Sequence, residues 1–256
     1  MCLLTPITVS EFLSMPPLKA DIITQLKKDI LALQGFRPLV DTQQTIDLGT
    51  INHSFPNSIF PLGVNHEFIC PGTESLTASS GFIAGILSTL LQKAGAVVWI
   101  SSSQLIFPPA LVSFGIEPSQ LIFIHLKNRQ QINWTIEEAM KCARLTAVVG
   151  EIAAMDLTLS RRLQLASEQS RVTGFLLRNQ PRQLQATACV CRWQINPLPS
   201  EVYNGIPGIG YPRWQVELLK ARNGKPGQWQ LAWKDGQFNE VVPPARSSML
   251  LQKEAV

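Results

Sequence analysis

Hydrophobic and polar positions change rhythm several times along the chain. Up to residue 17 there is no period, and Met15-Pro16-Pro17 closes a stretch that reads as a flexible N-terminal arm. Ile22, Ile23, Leu26, Ile30 and Leu33 then recur at helical spacing with Lys27, Lys28 and Asp29 between them, which predicts an amphipathic helix over Leu18 to Leu33. Gly35 stops it and Pro38 prevents resumption. From Val40 to Pro61 the residues are polar, with Asn, Ser, Pro and Gly throughout, and predict a surface connector.

Regular alternation begins near Val64. His66 to Cys70 reads as a strand, followed by a Pro-Gly-rich loop and a helix from about Ser79 to Lys93. Ala96 to Ile100 is a continuous apolar run, as expected of a strand covered on both faces. A short helix from Pro108 precedes another apolar strand, Leu121 to His125. Trp134 to Arg144 reads as a helix with Glu137 and Glu138 in its first turn and Lys141 and Arg144 in its last, which suits the helix dipole. Ala147 to Val149 is a strand, Thr158 to Ser170 a helix and Val172 to Arg178 a strand. This alternation predicts an α/β fold, a mostly parallel sheet covered by helices. After Pro181 the character changes. Thr187 to Ile195 and Trp214 to Trp233 read as strands without helices between them, and Asn223 to Gly227 as a hairpin turn, so antiparallel strands extend the C-terminal end.

Composition narrows the class. Of 256 residues 45% are hydrophobic and 16% charged, which provides a core and excludes a disordered chain. The net charge of +4 is mild but uneven: ten basic and three acidic residues lie between Leu157 and Lys225. That bias permits an acidic partner, and Arg161, Arg162, Arg171, Arg178 and Arg182 are its candidate contacts for weak binding to DNA. Five cysteines without framework spacing read as buried free thiols in a reducing cytoplasm. The N-terminus lacks a signal peptide, and the apolar stretch from Gly81 to Leu91 is too short to span a bilayer, so a soluble cytoplasmic protein with no membrane partner is expected.

Chemistry is sought first after the opening strand, where helix N–H groups bind anions in such sheets. The position reads Pro71-Gly72-Thr73-Glu74-Ser75, continuing to Ser79 and Ser80. A phosphate loop needs G-x-x-x-x-G-K-[ST], and no lysine occurs between His66 and Gln92. Glu74 adds a negative charge where a phosphate disfavours one. His53, His66 and His125 are scattered, and no Gly-x-Ser-x-Gly supports a hydrolase triad. Glu151 and Asp156, near the end of a strand, read as capping groups. No catalytic residue, cofactor or metal is expected.

Several strings resemble a known family. Phe60-Pro-Leu-Gly-Val-Asn-His-Glu-Phe68, Gly81-Phe-Ile-Ala-Gly-Ile-Leu87, Trp99-Ile-Ser-Ser-Ser103, Val148-Val-Gly-Glu-Ile152, Ser160-Arg-Arg-Leu-Gln-Leu-Ala166 and the run from Pro212 to Gly227 resemble the ImuA family, RecA-like and SulA-related accessory proteins of bacterial translesion DNA synthesis. The resemblance implies a RecA-like domain over 62–245, preceded by the arm (1–17) and a helix with connector (18–61), and followed by a flexible tail (246–256). It also implies a damage-induced (SOS) role with an ImuB-type inactive Y-family polymerase, an error-prone replicative-type DNA polymerase and RecA as partners, the protein joining the nucleoid when engaged in repair. Against the recombinase pattern, the Walker A lysine is missing. The water-activating acid is replaced within Ser101 to Gln104, and the Walker B aspartate falls on Gly150 or Glu151. What persists is Lys220-x-Arg222, which resembles the paired cations that a recombinase extends to its neighbour. Lys220, Arg222 and the helix residues Leu26 and Ile30 are therefore the candidate partner contacts. The rival reading is a SulA-like division inhibitor that binds FtsZ; a third is nucleotide binding without turnover.

Overall fold

The computed structural model describes residues 45–92, 95–103, 105–181, 183–201 and 210–241, with Lys19, Ile22, Ile23, Gln25 and Leu26. The chain divides into two compact units, Met1–Asp41 and Thr42–Val256. In the first, the described residues are helical, within the predicted Leu18 to Leu33 helix, and Ile22, Ile23 and Leu26 are exposed. Ile30, the arm and the tail lie outside the described residues.

The second unit is a nine-stranded sheet in the order β3-β2-β4-β5-β1-β6-β7-β8-β9. The strands are β1 (Asn65–Cys70), β2 (Val97–Ser101), β3 (Leu121–His125), β4 (Ala147–Glu151), β5 (Thr173–Asn179), β6 (Cys191–Glu201), β7 (Tyr211–Ala221), β8 (Gly227–Lys234) and β9 (Gln237–Glu240). β1 to β6 run parallel, and β7, β8 and β9 follow as an antiparallel meander. Three helices cover it: α1 (Thr73–Leu90), α2 (Arg129–Lys141) and α3 (Leu157–Ser170).

Period-two alternation sorts the faces. Phe68 meets both Phe175 and Phe82 of α1 in an aromatic layer that continues through Trp193, Trp214 and Phe238. On the opposite face Val98, Val148 and Leu176 pack with Ile136 of α2 and Leu163 of α3. β3 is the outer edge strand, which is why its apolar Ile122 and Phe123 stay partly exposed.

Three expectations change. The polar segment before β1 is not a surface connector: Ile46, Leu48, Ile51, Phe55 and Phe60 are buried, and Lys225 in the β7–β8 turn donates its N–H to Ser54. α2 starts at Arg129 because the Asn128 side chain accepts from Gln130 and Gln131 N–H, which moves Glu137 and Glu138 out of the first turn. α1 starts six residues before Ser79, with consequences for the site.

Candidate functional site

The position that would cradle a phosphate is closed. β1 ends at Cys70 and α1 begins at Thr73, leaving Pro71 and Gly72 as the whole connection. Gly72 is extended, its carbonyl accepts the Leu76 N–H, and the Ser75 hydroxyl bonds both its N–H (3.1 Å) and its carbonyl (2.9 Å). Thr73, Glu74, Ser75, Ser79 and Ser80 are therefore helix residues and not parts of a loop. Ser75, Ser79 and Ser80 are buried, with Ser79 beneath the Cys70 thiol and Ser80 bonded back to the Leu76 carbonyl. The serines look like loop formers in sequence, yet they serve the helix as a cap and as small packing residues.

The two other altered elements meet each other. Glu151 ends β4, almost fully buried, and its carboxylate accepts from the backbone N–H and hydroxyl of Ser102 and from those of Ser103, just after β2. It thus closes a serine turn and does not cap a helix. Asp156 does cap, accepting the Leu159 N–H at 2.7 Å. A carboxylate holding four donors has spent its lone pairs on the fold.

A buried ion cluster lies on the α3 side of the sheet. Glu67, central in β1, takes Arg178 Nη1 at 2.8 Å on one oxygen, and Arg192 Nε and the Thr187 hydroxyl, both at 2.8 Å, on the other. Arg178 is 3% exposed and is withdrawn from the DNA-contacting set, because a group enclosed on β5 and paired to Glu67 offers no surface. Arg161 and Arg171 are exposed; Arg162 is exposed but paired with Glu137. Arg182 lies outside the described residues. Lys220 and Arg222 do project together, but inward, onto the segment before β6: Lys220 donates to the Thr187 carbonyl (3.0 Å) and Arg222 to that of Ala188 (2.7 Å). Their cations anchor a connection and do not stand clear of the surface. Glu67 had a signal in the sequence, a lone acid inside a predicted strand; its partners, more than 100 residues away, had none.

Between α2 and α3, over the carboxyl ends of β2, β4 and β5, lies an open groove of about 1190 Å³. Its walls carry Arg129, Asn133 and Trp134 from α2, Arg162 from α3, and Gln180 and Gln183 from the loop after β5. Arg178 reaches its floor. Spacing did not single out Arg129 or Trp134, since two separate crossovers bring these walls together. Among the described residues no three His, Cys, Asp or Glu side chains gather as a metal site would require.

No family model matches the chain. A solved structure of the RadB recombinase aligns with a TM-score of 0.50 at 16% identity, covering 71% of this chain and 92% of that one, which shows the RecA-like fold. Protein ImuA from two strains of Caulobacter vibrioides is 34% identical over 194 residues, covering 71% of this chain and 80% of the relative. With that identity over that span, on that fold, the chain belongs to the ImuA family.

Proposed function

We propose that this protein is a non-catalytic accessory factor of damage-induced translesion DNA synthesis, a binding module on a RecA-like scaffold without nucleotide chemistry. One observation carries the non-catalytic part: only Pro71 and Gly72 separate β1 from α1. A phosphate cradle requires a run of N–H groups outside the helix and a lysine to reach the outer phosphates. Here Ser75 already occupies the Gly72 N–H and no lysine is near in sequence. Family membership supports the repair role, with an ImuB-type inactive Y-family polymerase, an error-prone replicative-type polymerase and RecA as partners. Exposed Arg161 and Arg171 support a weak, salt-sensitive contact with DNA. Among the described residues no helix is long and apolar enough to cross a membrane, in keeping with work at the nucleoid.

Calorimetric titration with magnesium-ATP should give no saturable heat, and affinity capture from damaged cells should recover repair polymerases. A saturable ATP isotherm, or capture of the division protein FtsZ in their place, overturns the reading.

A further inference from the structure

The groove between α2 and α3 carries an unbalanced set of polar groups. Its three acids are all engaged: Glu137 with Arg162 and Lys141, Glu151 with the serine turn, Asp156 with the start of α3. Among the described residues two further arginines add positive charge. Arg129, exposed on the first turn of α2, pairs with nothing among the described residues. Arg178 shares the single carboxylate of Glu67 with Arg192, so the cluster holds surplus positive charge, and the buried Arg178 Nε has no hydrogen-bond partner. Arg178 is sealed within the protein, so the ion cluster lends positive potential beneath the groove and no direct contact to an occupant. The N-termini of α2 and α3 open into the same space and add positive potential.

The remaining wall identifies the occupant. Asn133, Gln180 and Gln183 each present both a donor and an acceptor, which matches the alternating N–H and C=O groups of a peptide backbone. Trp134 is 64% exposed and offers a flat apolar plate to one side chain. The volume, about 1190 Å³, exceeds the roughly 300–1,000 Å³ of small-molecule sites. A nucleic-acid strand would demand a row of open cations, whereas among the described residues this groove has one exposed unpaired arginine and three carboxylates on its walls. We propose that the groove binds an extended peptide segment of a partner protein, in which an Asp or Glu carboxylate faces Arg129 while a neighbouring aromatic or aliphatic side chain lies on Trp134. This rests on the reading of the chain as a binding module, and it is independent of which repair protein supplies the segment.

The test is to pan a phage-displayed library of random peptides on the full-length chain. Enriched sequences are then measured as fluorescein-labelled peptides by anisotropy. Expected is enrichment of an acidic residue next to Phe, Trp or Leu, with affinity reduced about tenfold or more by Arg129→Glu and by Trp134→Ala. Arg144→Glu, exposed and outside the groove, should leave it unchanged. Both groove residues are exposed, so the variants should keep the parent denaturation midpoint. No enrichment, enrichment of basic peptides, or equal affinity in the variants overturns the proposal. So does labelled oligothymidine whose binding competes with the peptides and is lost in the same two variants. The ATP titration and the affinity capture read the broader function separately, so either reading can fail alone.

Discussion

His66 is held between two opposite demands on its ring. Its Nε2–H donates to the Pro61 carbonyl at 2.8 Å, and its Nδ1 accepts the Trp193 indole N–H at 3.2 Å. Phe60 stacks on one side at 4.6 Å. Burial therefore holds the imidazole neutral and lowers its pKa from 6.5 to about 4, against a smaller raising effect of the Pro61 bond. A proton added at Nδ1 would point at the indole N–H. Because the unfolded chain takes up that proton near pH 6.5 and the folded chain only near 4, this stability is complete above pH 6.5 and is lost as pH falls toward 4. The loss should amount to about 3 kcal/mol. Urea unfolding across this window should show one more proton taken up on unfolding than in a His66→Gln variant; parallel curves would refute the assignment. Glu67 makes a second residue-level case. Glu67→Ala strands two guanidiniums without their carboxylate, and breaking a buried pair in this way costs about 3–5 kcal/mol. A urea midpoint within error of the parent would show the cluster to be dispensable.

At the scale of elements, α1 and the C-terminal meander are fitted most tightly at one glycine. A Cβ on Gly85 would stand 2.5 Å from the Phe238 ring and 3.0 Å from that of Trp233, so β8 and β9 close on the helix only because no side chain intervenes. Gly85→Val should destabilise by about 1–3 kcal/mol through overpacking, despite removing a helix-interior glycine. Denaturation would measure the loss, and aromatic circular dichroism would report displacement of the Phe238–Trp233 pair. Element boundaries also show where pattern reading stops. Strand β3 and the end of α3 lie where the periodicity puts them. α1 does not, because Pro71 to Ser75 has the composition of a loop and the decision for helix rests on a serine cap and on burial against β1 and β6. Likewise Ile46, Ile51 and Phe55 sit in a polar context with no period, and distant strands give this segment a core to enter, Trp193 of β6 against Phe55 and β8 and β9 against residues 49–54.

For the molecule as a whole, the cysteines report on integrity. Cys70 at the end of β1, Cys189 in the segment before β6 and Cys191 at the start of β6 are buried. Burial pushes the Cys70 thiol up to about 11 and that of Cys189 to about 12, and raises Cys191 as well. They are thiols, as their sequence suggests, whereas Cys142 at the end of α2 is exposed against expectation. In native buffer a maleimide should label Cys142 and spare the three buried thiols, whose labelling should appear only with global unfolding. Mass spectrometry of the tryptic peptides over a urea series checks this. Early labelling of Cys189 or Cys191 would mean that β6 opens locally.

Some of this was settled by the order of residues alone. Apolar runs separated by amphipathic helices bury themselves as a parallel sheet with helical cover. The missing lysine is likewise a fact of sequence, because no fold supplies an absent side chain. What needed tertiary structure was every decision between distant partners. Arg178 and Lys220 carry the same kind of charge as Arg161, yet the first two turn inward, to Glu67 and to the Thr187 carbonyl, while Arg161 stays in water. Their acceptors lie on other strands and loops, and only the sheet order places these within reach. The groove is of the same kind: Arg129, Trp134 and Arg178 come from elements that meet only when β3, β4 and β5 are ordered in one sheet. Local pattern determines which segments exist, because hydrogen bonding and burial within a segment are short-range. The pairing of charges across the molecule is a property of the packed whole.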